Sequence, residues 1–216
     1  MEALRDINKV YSELDQAILK NTQNEERGLS QISSEELKSL PEEFVKSYID
    51  VLSEYTEIIS QQTEHLDICN KTHLDIWLFK HGLKMAPGFG NQITEDILIE
   101  IYNLENQQLF RSVNFFNFSS YSVHELTFIP WDKLYFRRPE FTAEMENEIK
   151  RVLVNQIPAT KPRVTPHFLD ELKTGKRFKY EAKDLGCIYS NTTGEVAGYI
   201  ALISIRHVPA GVQLLQ

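Results

Sequence analysis

Cysteine is scarce in this chain. Only Cys69 and Cys187 occur among 216 residues, too few for a disulfide framework. Long apolar runs are missing too: no stretch of about 18 apolar residues exists, so no membrane span is expected. The opening residues MEALRDINKVYSELDQ carry acids and no apolar centre, unlike a signal peptide. A cytoplasmic location follows as the expectation, and the sequons at Asn70, Asn117 and Asn191 are then irrelevant. A basic stripe is also lacking, which argues against nucleic acid as a partner. Walker, G-x-S-x-G, H-E-x-x-H and G-x-G-x-x-G motifs are absent, and Gly88-Phe89-Gly90 is a lone fragment. No enzymatic activity is expected and no catalytic residue stands out.

What is present supports a packed core. Apolar residues make up 42% and charged residues 25%. The length suits one domain with an extra element, or two small domains. The net charge of −8 is uneven: residues 1–84 hold 16 acidic and 9 basic side chains, and the remainder is nearly balanced. A solvated acidic face on the first part is the expected meaning.

The first part has helical periodicity. Leu4, Ile7, Tyr11, Leu14 and Ile18 step by three and four, a heptad seam. The pattern fades in NTQNEERGLSQ around Gly28. Ser33 with Glu36, and Ser39 with Glu42, have capping-box spacing, with Pro41 near a first-turn position. A helix is expected from about Pro41 to His81, ended by Gly82. Its seam runs Phe44, Tyr48, Leu52, Tyr55, Ile59, Gln62, Leu66, Cys69, His73, Ile76. A helix of about 40 residues spans roughly 60 Å and needs a partner, either the first helix folded back or a second chain. A homodimer through these helices is the expectation. Cys69 and His73 could hold half a metal site at i, i+4, but small or polar seam positions are the favoured reading, and no metal is assigned.

Residues 85–96, MAPGFGNQITED, read as a linker. The period then changes to two. ILIEIYN (97–103), QLFRSVN (108–114), RFKYEAKDLGCIYS (177–190) and VAGYIALISIRH (196–207) read as strands. Residues 142–157 form an amphipathic helix through Met145, Ile149, Val152 and Leu153, and HFLDELKTG (167–175) reads as a short helix stopped by Gly175. Strands at both ends with helices between imply an α+β fold, an antiparallel sheet with helices on one face.

Three stretches share a pattern with a known family. They are the opening hairpin ILIEIYNLENQQLFRSVN ending in Asn114, the turn SYSVHEL (120–126), and LKTGKRFKYEAKDLGCIYSNTTGEVAGYIALISI with its Gly-Glu-Val-x-Gly-Tyr turn. Residues 95–208 thereby resemble a PAS domain, the small sensory module of bacterial signalling proteins. The resemblance implies 1–84 as a helical hairpin or coiled-coil dimerisation segment, 85–96 as linker, 97–208 as the PAS-like domain and 209–216 as a tail. It implies a non-catalytic module that binds a small ligand or a signalling protein partner and relays the state through its N-terminal helices. The family's Asp-Ile-Thr type ending is replaced by SIRH (204–207), and no cysteine stands in the flavin-photosensing setting. A constitutive protein–protein interaction module without ligand is the alternative.

Eleven of the 23 aromatics lie between Tyr102 and Phe141. Aromatics line pockets as well as fill cores. A pocket between sheet and central helices would be lined by Phe110, Phe116, Tyr121, Trp131, Tyr135, Tyr180 and Tyr199. No cofactor is named: haem needs an inward axial ligand, and neither His124 nor His167 has a context that marks it as one. Arg137 and Arg138 could bind a carboxylate or phosphate, though a surface pair salted to Glu140 and Glu144 is favoured. His124-Glu-Leu resembles a kinase phosphoacceptor box, but Pro130 lies six residues on and no long helix surrounds it. Replacing His124 by Gln is therefore expected to leave folding and function largely intact.

Overall fold

The computed structural model describes residues 2–22, 24, 27–60 and 70–208. In chain order the elements are α1 (Glu2–Asn21), α2 (Ser34–Ser39), α3 (Glu42–Ser60), α4 (Asn70–Lys80), β1 (Leu83–Met85), a 3-10 turn (Phe89–Gln92), β2 (Ile97–Asn103), β3 (Gln108–Arg111), a 3-10 turn (Val113–Asn117), α5 (Val123–Phe128), α6 (Trp131–Leu134), β4 (Tyr135–Phe136), α7 (Pro139–Val154), β5 (His167–Glu171), β6 (Arg177–Ser190) and β7 (Val196–Val208). The fold is α+β. Its strands form a curled, antiparallel seven-stranded sheet in the order β3-β2-β7-β6-β5-β4, with β1 also paired to β6. The chain divides into two compact units. One is Met1–Asp67 with Phe116–Leu134; the other is Ile68–Phe115 with Tyr135–Gln216. The sequence places its boundaries at 84 and 97 instead.

The helical unit is built on the α1 seam. Ile7, Tyr11, Leu14 and Ile18 are fully buried, and α1 packs on α3. Each such side chain contributes about 1.5–3 kcal/mol on leaving water. One chain therefore covers the seam by itself, and burial of these residues does not require a second copy. Along α3, Tyr48, Leu52 and Ile59 are buried while Phe44, the first seam position, is 43% exposed. Gln62, His65, Leu66 and Cys69 lie outside the described residues, as does any continuity between α3 and α4. Ser33 and Glu36 form the expected capping box at α2. Ser39 instead donates to the Glu36 carbonyl at 2.6 Å, closing α2 rather than opening α3.

In the sheet unit, β2, β3, β6 and β7 begin where the periodicity places them. β2 pairs with β7 from Ile97↔Ser204 to Asn103↔Gly198, so the opening and closing hairpins lie side by side. Both faces of this centre are buried. Ile99, Ile101, Ile200 and Leu202 fill one, and Leu98, Tyr199, Ile203 and Cys187 the other. Helices on one face alone are not what forms. Trp77 of α4 packs on Phe110, which pairs with Ile101. The Cys187 thiol, opposite Tyr199 and so on the other face, donates to the Val152 carbonyl of α7 at 3.5 Å. A strand reading ILIEI, apolar at nearly every position, has no face to give to water.

Two further expectations are corrected. Residues 167–175 are not a helix: His167–Glu171 is strand β5, buried at His167, Leu169 and Glu171 and less so at Phe168 and Asp170. Gly175 adopts φ +70° in the β5–β6 turn, a conformation that glycine takes without Cβ strain, instead of capping a helix. Residues 85–96 are not a free linker. Met85 pairs with Ile188, and Phe89 and Ile93 are buried. Among the described residues no helix is long and apolar enough to cross a membrane.

Candidate functional site

One face of the sheet unit holds buried polar atoms that no described residue satisfies. His167, on β5 opposite Tyr180 of β6, is 1% exposed. Its Nδ1 lies 3.0 Å from the Thr165 carbonyl, and a carbonyl only accepts, so the ring proton is on Nδ1. Burial above all, and then the nearby Arg137 charge, push this imidazole below its ordinary value; the Thr165 bond opposes them. The ring is neutral, and Nε2 is a bare acceptor, closed off from solvent, with no hydrogen-bond partner among the described residues. Phe141 of α7 stacks on the ring at 4.7 Å and Tyr180 lies against it at 4.9 Å.

Arg137 follows the two-residue strand β4. Its guanidinium carbon sits 5.2 Å from the Tyr180 ring centre. Nη1 contacts only the Met145 thioether, at 3.1 Å, a weak acceptor. Nε is buried without a partner, and no carboxylate of the described residues pairs with the guanidinium. The expected surface pairing with Glu140 and Glu144 does not form: Glu144 instead accepts from the Thr165 amide at 3.0 Å. The Tyr180 hydroxyl has no hydrogen-bond partner among the described residues either. Its phenol is raised above the usual value, mainly by burial and next by the Glu100 carboxylate, so it stays protonated. Arg137 Nε and His167 Nε2, buried and unsatisfied, each cost about 1–3 kcal/mol.

A charged pair lies beside this cluster. Arg111 binds Glu100 at 3.1 Å and lies 4.0 Å above the Phe115 ring. Tyr102 donates to the other Glu100 oxygen at 2.9 Å. Tyr102 stacks on Tyr199, whose hydroxyl bonds Asn106.

The seven aromatics expected to line one pocket are divided. Phe116, Tyr121 and Trp131 belong to the helical unit, and Phe110, Tyr135, Tyr180 and Tyr199 to the sheet unit. Within the sheet unit, Phe110 is on the face opposite Tyr180 and Tyr199 and cannot share their wall. Tyr135 pairs with Glu171 on the His167 face. Sequence reasoning reached Tyr180 but weighed His167 only as an axial ligand and set it aside, because reading 167–175 as a helix hides the alternation His167, Leu169, Glu171. Among the described residues no group of three or more His, Cys, Asp or Glu side chains could hold a metal ion.

The helical unit carries a second polar chain. Thr127 donates to the Val123 carbonyl at 2.9 Å, Tyr48 to Thr127 at 3.0 Å, and Tyr11 to Tyr48 at 3.1 Å. Each hydroxyl proton is thereby spent, so the 3.0 Å contact between Tyr11 and His124 needs a proton on Nδ1 of the histidine. His124 Nε2 faces Glu36 at 3.6 Å. Tyr11 is fully buried, and its phenol is raised chiefly by that burial, so it is no nucleophile. Ser122 and Glu125 form a capping box at α5, for which the S-x-x-E spacing was the available signal. His124 is thus a strut between α1 and α5, and the expectation that Gln is harmless there is revised. Replacing His124 by Gln should lower stability by about 1 kcal/mol, measurable as a reduced urea midpoint. An unchanged midpoint would show that the contact contributes nothing.

Acid should destabilise the protein before carboxylates titrate. Burial lowers both His73 and His167. Below the ordinary histidine value, about 6.5, the unfolded chain takes up protons that the folded chain refuses, so stability falls with pH. Both sites should therefore lower stability between pH 7 and pH 5. Urea titrations at both pH values should show this loss shrinking in a His73→Gln, His167→Gln double variant.

No family model, curated protein or solved structure matches this chain.

Proposed function

We propose that the chain is a PAS-like, non-catalytic signalling module whose sheet unit binds a small molecule. The observation that carries this reading is the pair of buried, unsatisfied atoms Arg137 Nε and His167 Nε2 beside Tyr180. A purely structural core normally pairs such groups. The direct pairing of the opening hairpin with the closing one supports the family resemblance. The chain passes between the two compact units at 67/68, 115/116 and 134/135. A ligand with different affinity for two arrangements of the sheet unit therefore has covalent routes to the N-terminal helices. A signalling partner would read the change there.

The rival is an interaction module without ligand, favoured by the tight aromatic filling beside the cluster, where Tyr102 and Tyr199 stack at 5.0 Å. Mass spectrometry of denatured, freshly purified protein, an absorption spectrum above 300 nm and a melting screen against metabolites separate the two. A co-purified compound or a ligand-dependent rise in melting temperature supports the sensor. Neither, across a broad screen, leaves the interaction module.

A further inference from the structure

Resting on that reading, we propose that the Arg137–His167–Tyr180 cluster binds a small oxyanion that carries its own hydroxyl, the chemistry shared by 2-hydroxycarboxylates and hydrogen phosphate. Each part of the ligand is dictated by one of these side chains. Arg137 is a permanent cation whose Nε is buried without a partner among the described residues and whose Nη1 donates to the Met145 thioether. It calls for an anionic oxygen, and a planar guanidinium suits carboxylate or phosphate. His167 Nε2 is a neutral acceptor, because Nδ1 spends its proton on the Thr165 carbonyl. It calls for an O–H donor, which a plain carboxylate lacks. Tyr180 contributes a hydroxyl that can give or take a hydrogen bond. Arg137 and His167 both lie within 5.2 Å of the Tyr180 ring centre. Phe141 and Met145 of α7 supply apolar contact on the same side.

Neighbouring carboxylates are already committed. Glu100 is held by Arg111 and Tyr102, and Glu144 by the Thr165 amide. Neither pairs with Arg137, which has no carboxylate partner among the described residues. The hydroxyl requirement sets the selectivity, since an analogue lacking the group a buried site is built to bond leaves that site unpaired. Glycolate and acetate differ by that hydroxyl.

The test uses the full chain, with glycolate, acetate and inorganic phosphate as probes in calorimetric titrations. Glycolate or phosphate should bind at least 10-fold more tightly than acetate, and binding should move the His167 Nε2 nitrogen resonance. Arg137→Gln should weaken the favoured probe at least 10-fold. The glycolate–acetate comparison and the His167 resonance need no variant, so they stand even if Arg137→Gln folds poorly. Glycolate and phosphate both binding no more tightly than acetate, or binding without any His167 shift, overturns the proposal. If an uncharged compound raises the melting temperature while all three probes do nothing, the oxyanion assignment fails and the sensor reading survives. If nothing binds at all, both fail.

Discussion

Replacing Asp15 with alanine is expected to cost about 3–5 kcal/mol, the range for removing one partner of a buried ion pair. Asp15 sits on the buried side of α1. Its Oδ1 accepts from Arg27 Nη2 at 2.7 Å and from the Ser30 hydroxyl at 3.1 Å, and its Oδ2 accepts from the Ser30 amide at 2.6 Å. The Arg27 side chain is 0% exposed and lies 5.2 Å from the Phe116 ring centre. Without the carboxylate, a guanidinium would be left in that setting with no anion among the described residues. Ser30 adds a second loss. Its hydroxyl accepts from the Val123 amide at 3.1 Å, so Asp15 orients the residue that caps the start of α5. A companion substitution separates charge from packing. Asp15→Ala with Arg27→Met should recover a large part of the loss, since a buried pair replaced by apolar side chains is often neutral or stabilising. Chemical denaturation of the two single variants and the double variant closes the cycle. Additive losses would mean that the pair is not the source of the effect.

The second large effect is expected at Gly198, where alanine should cost about 3 kcal/mol or more, at or above the usual range for overpacking. Gly198 lies in β7 opposite Asn103 of β2 and Ile188 of β6. A Cβ there would stand 2.0 Å from the Tyr102 carbonyl oxygen and 3.0 Å from the Asn103 Cα. Both obstacles are backbone of a paired strand, so relief requires the β2–β7 ladder to shift. That ladder joins the two hairpins. Gly90→Ala is the control: its nearest neighbour would be the end of the Lys71 side chain at 3.4 Å, which can move aside. Thermal melting should show a large drop for the first and little change for the second. Comparable melting temperatures would mean that the strands give way more easily than a hydrogen-bonded ladder should.

Much of the local structure was legible. Alternation and composition placed β2, β6 and β7, and the three-four spacing placed α1 and α7, because these signals are carried by neighbours in the chain. β5 was not legible. In HFLDELKTG, Leu169 and Leu172 are spaced as on a helix, and only pairing with β6 makes the period two. Leu172, left over, is 56% exposed. The segment 85–96 misled for a similar reason: proline and glycine mark a break in regular structure, yet Phe89 and Ile93 carry the segment into the core.

The candidate site was legible only in part. Arg137 stood out as half of an arginine pair, and Tyr180 as an inward aromatic, but nothing in either neighbourhood pointed to His167. Thirty residues separate Arg137 from His167, and thirteen more separate His167 from Tyr180. What the sequence determined by itself is the α+β class, the helical seam of α1 and the two hairpins, since each follows from side-chain periodicity over a few turns or strands. Only the tertiary structure decided that both faces of the central sheet are covered and that His124 braces two helices. It alone also leaves Arg137 Nε and His167 Nε2 buried beside Tyr180 with no hydrogen-bond partner among the described residues. Those outcomes depend on strand register and on hydrogen-bond direction, which are fixed by contacts between residues far apart in the chain.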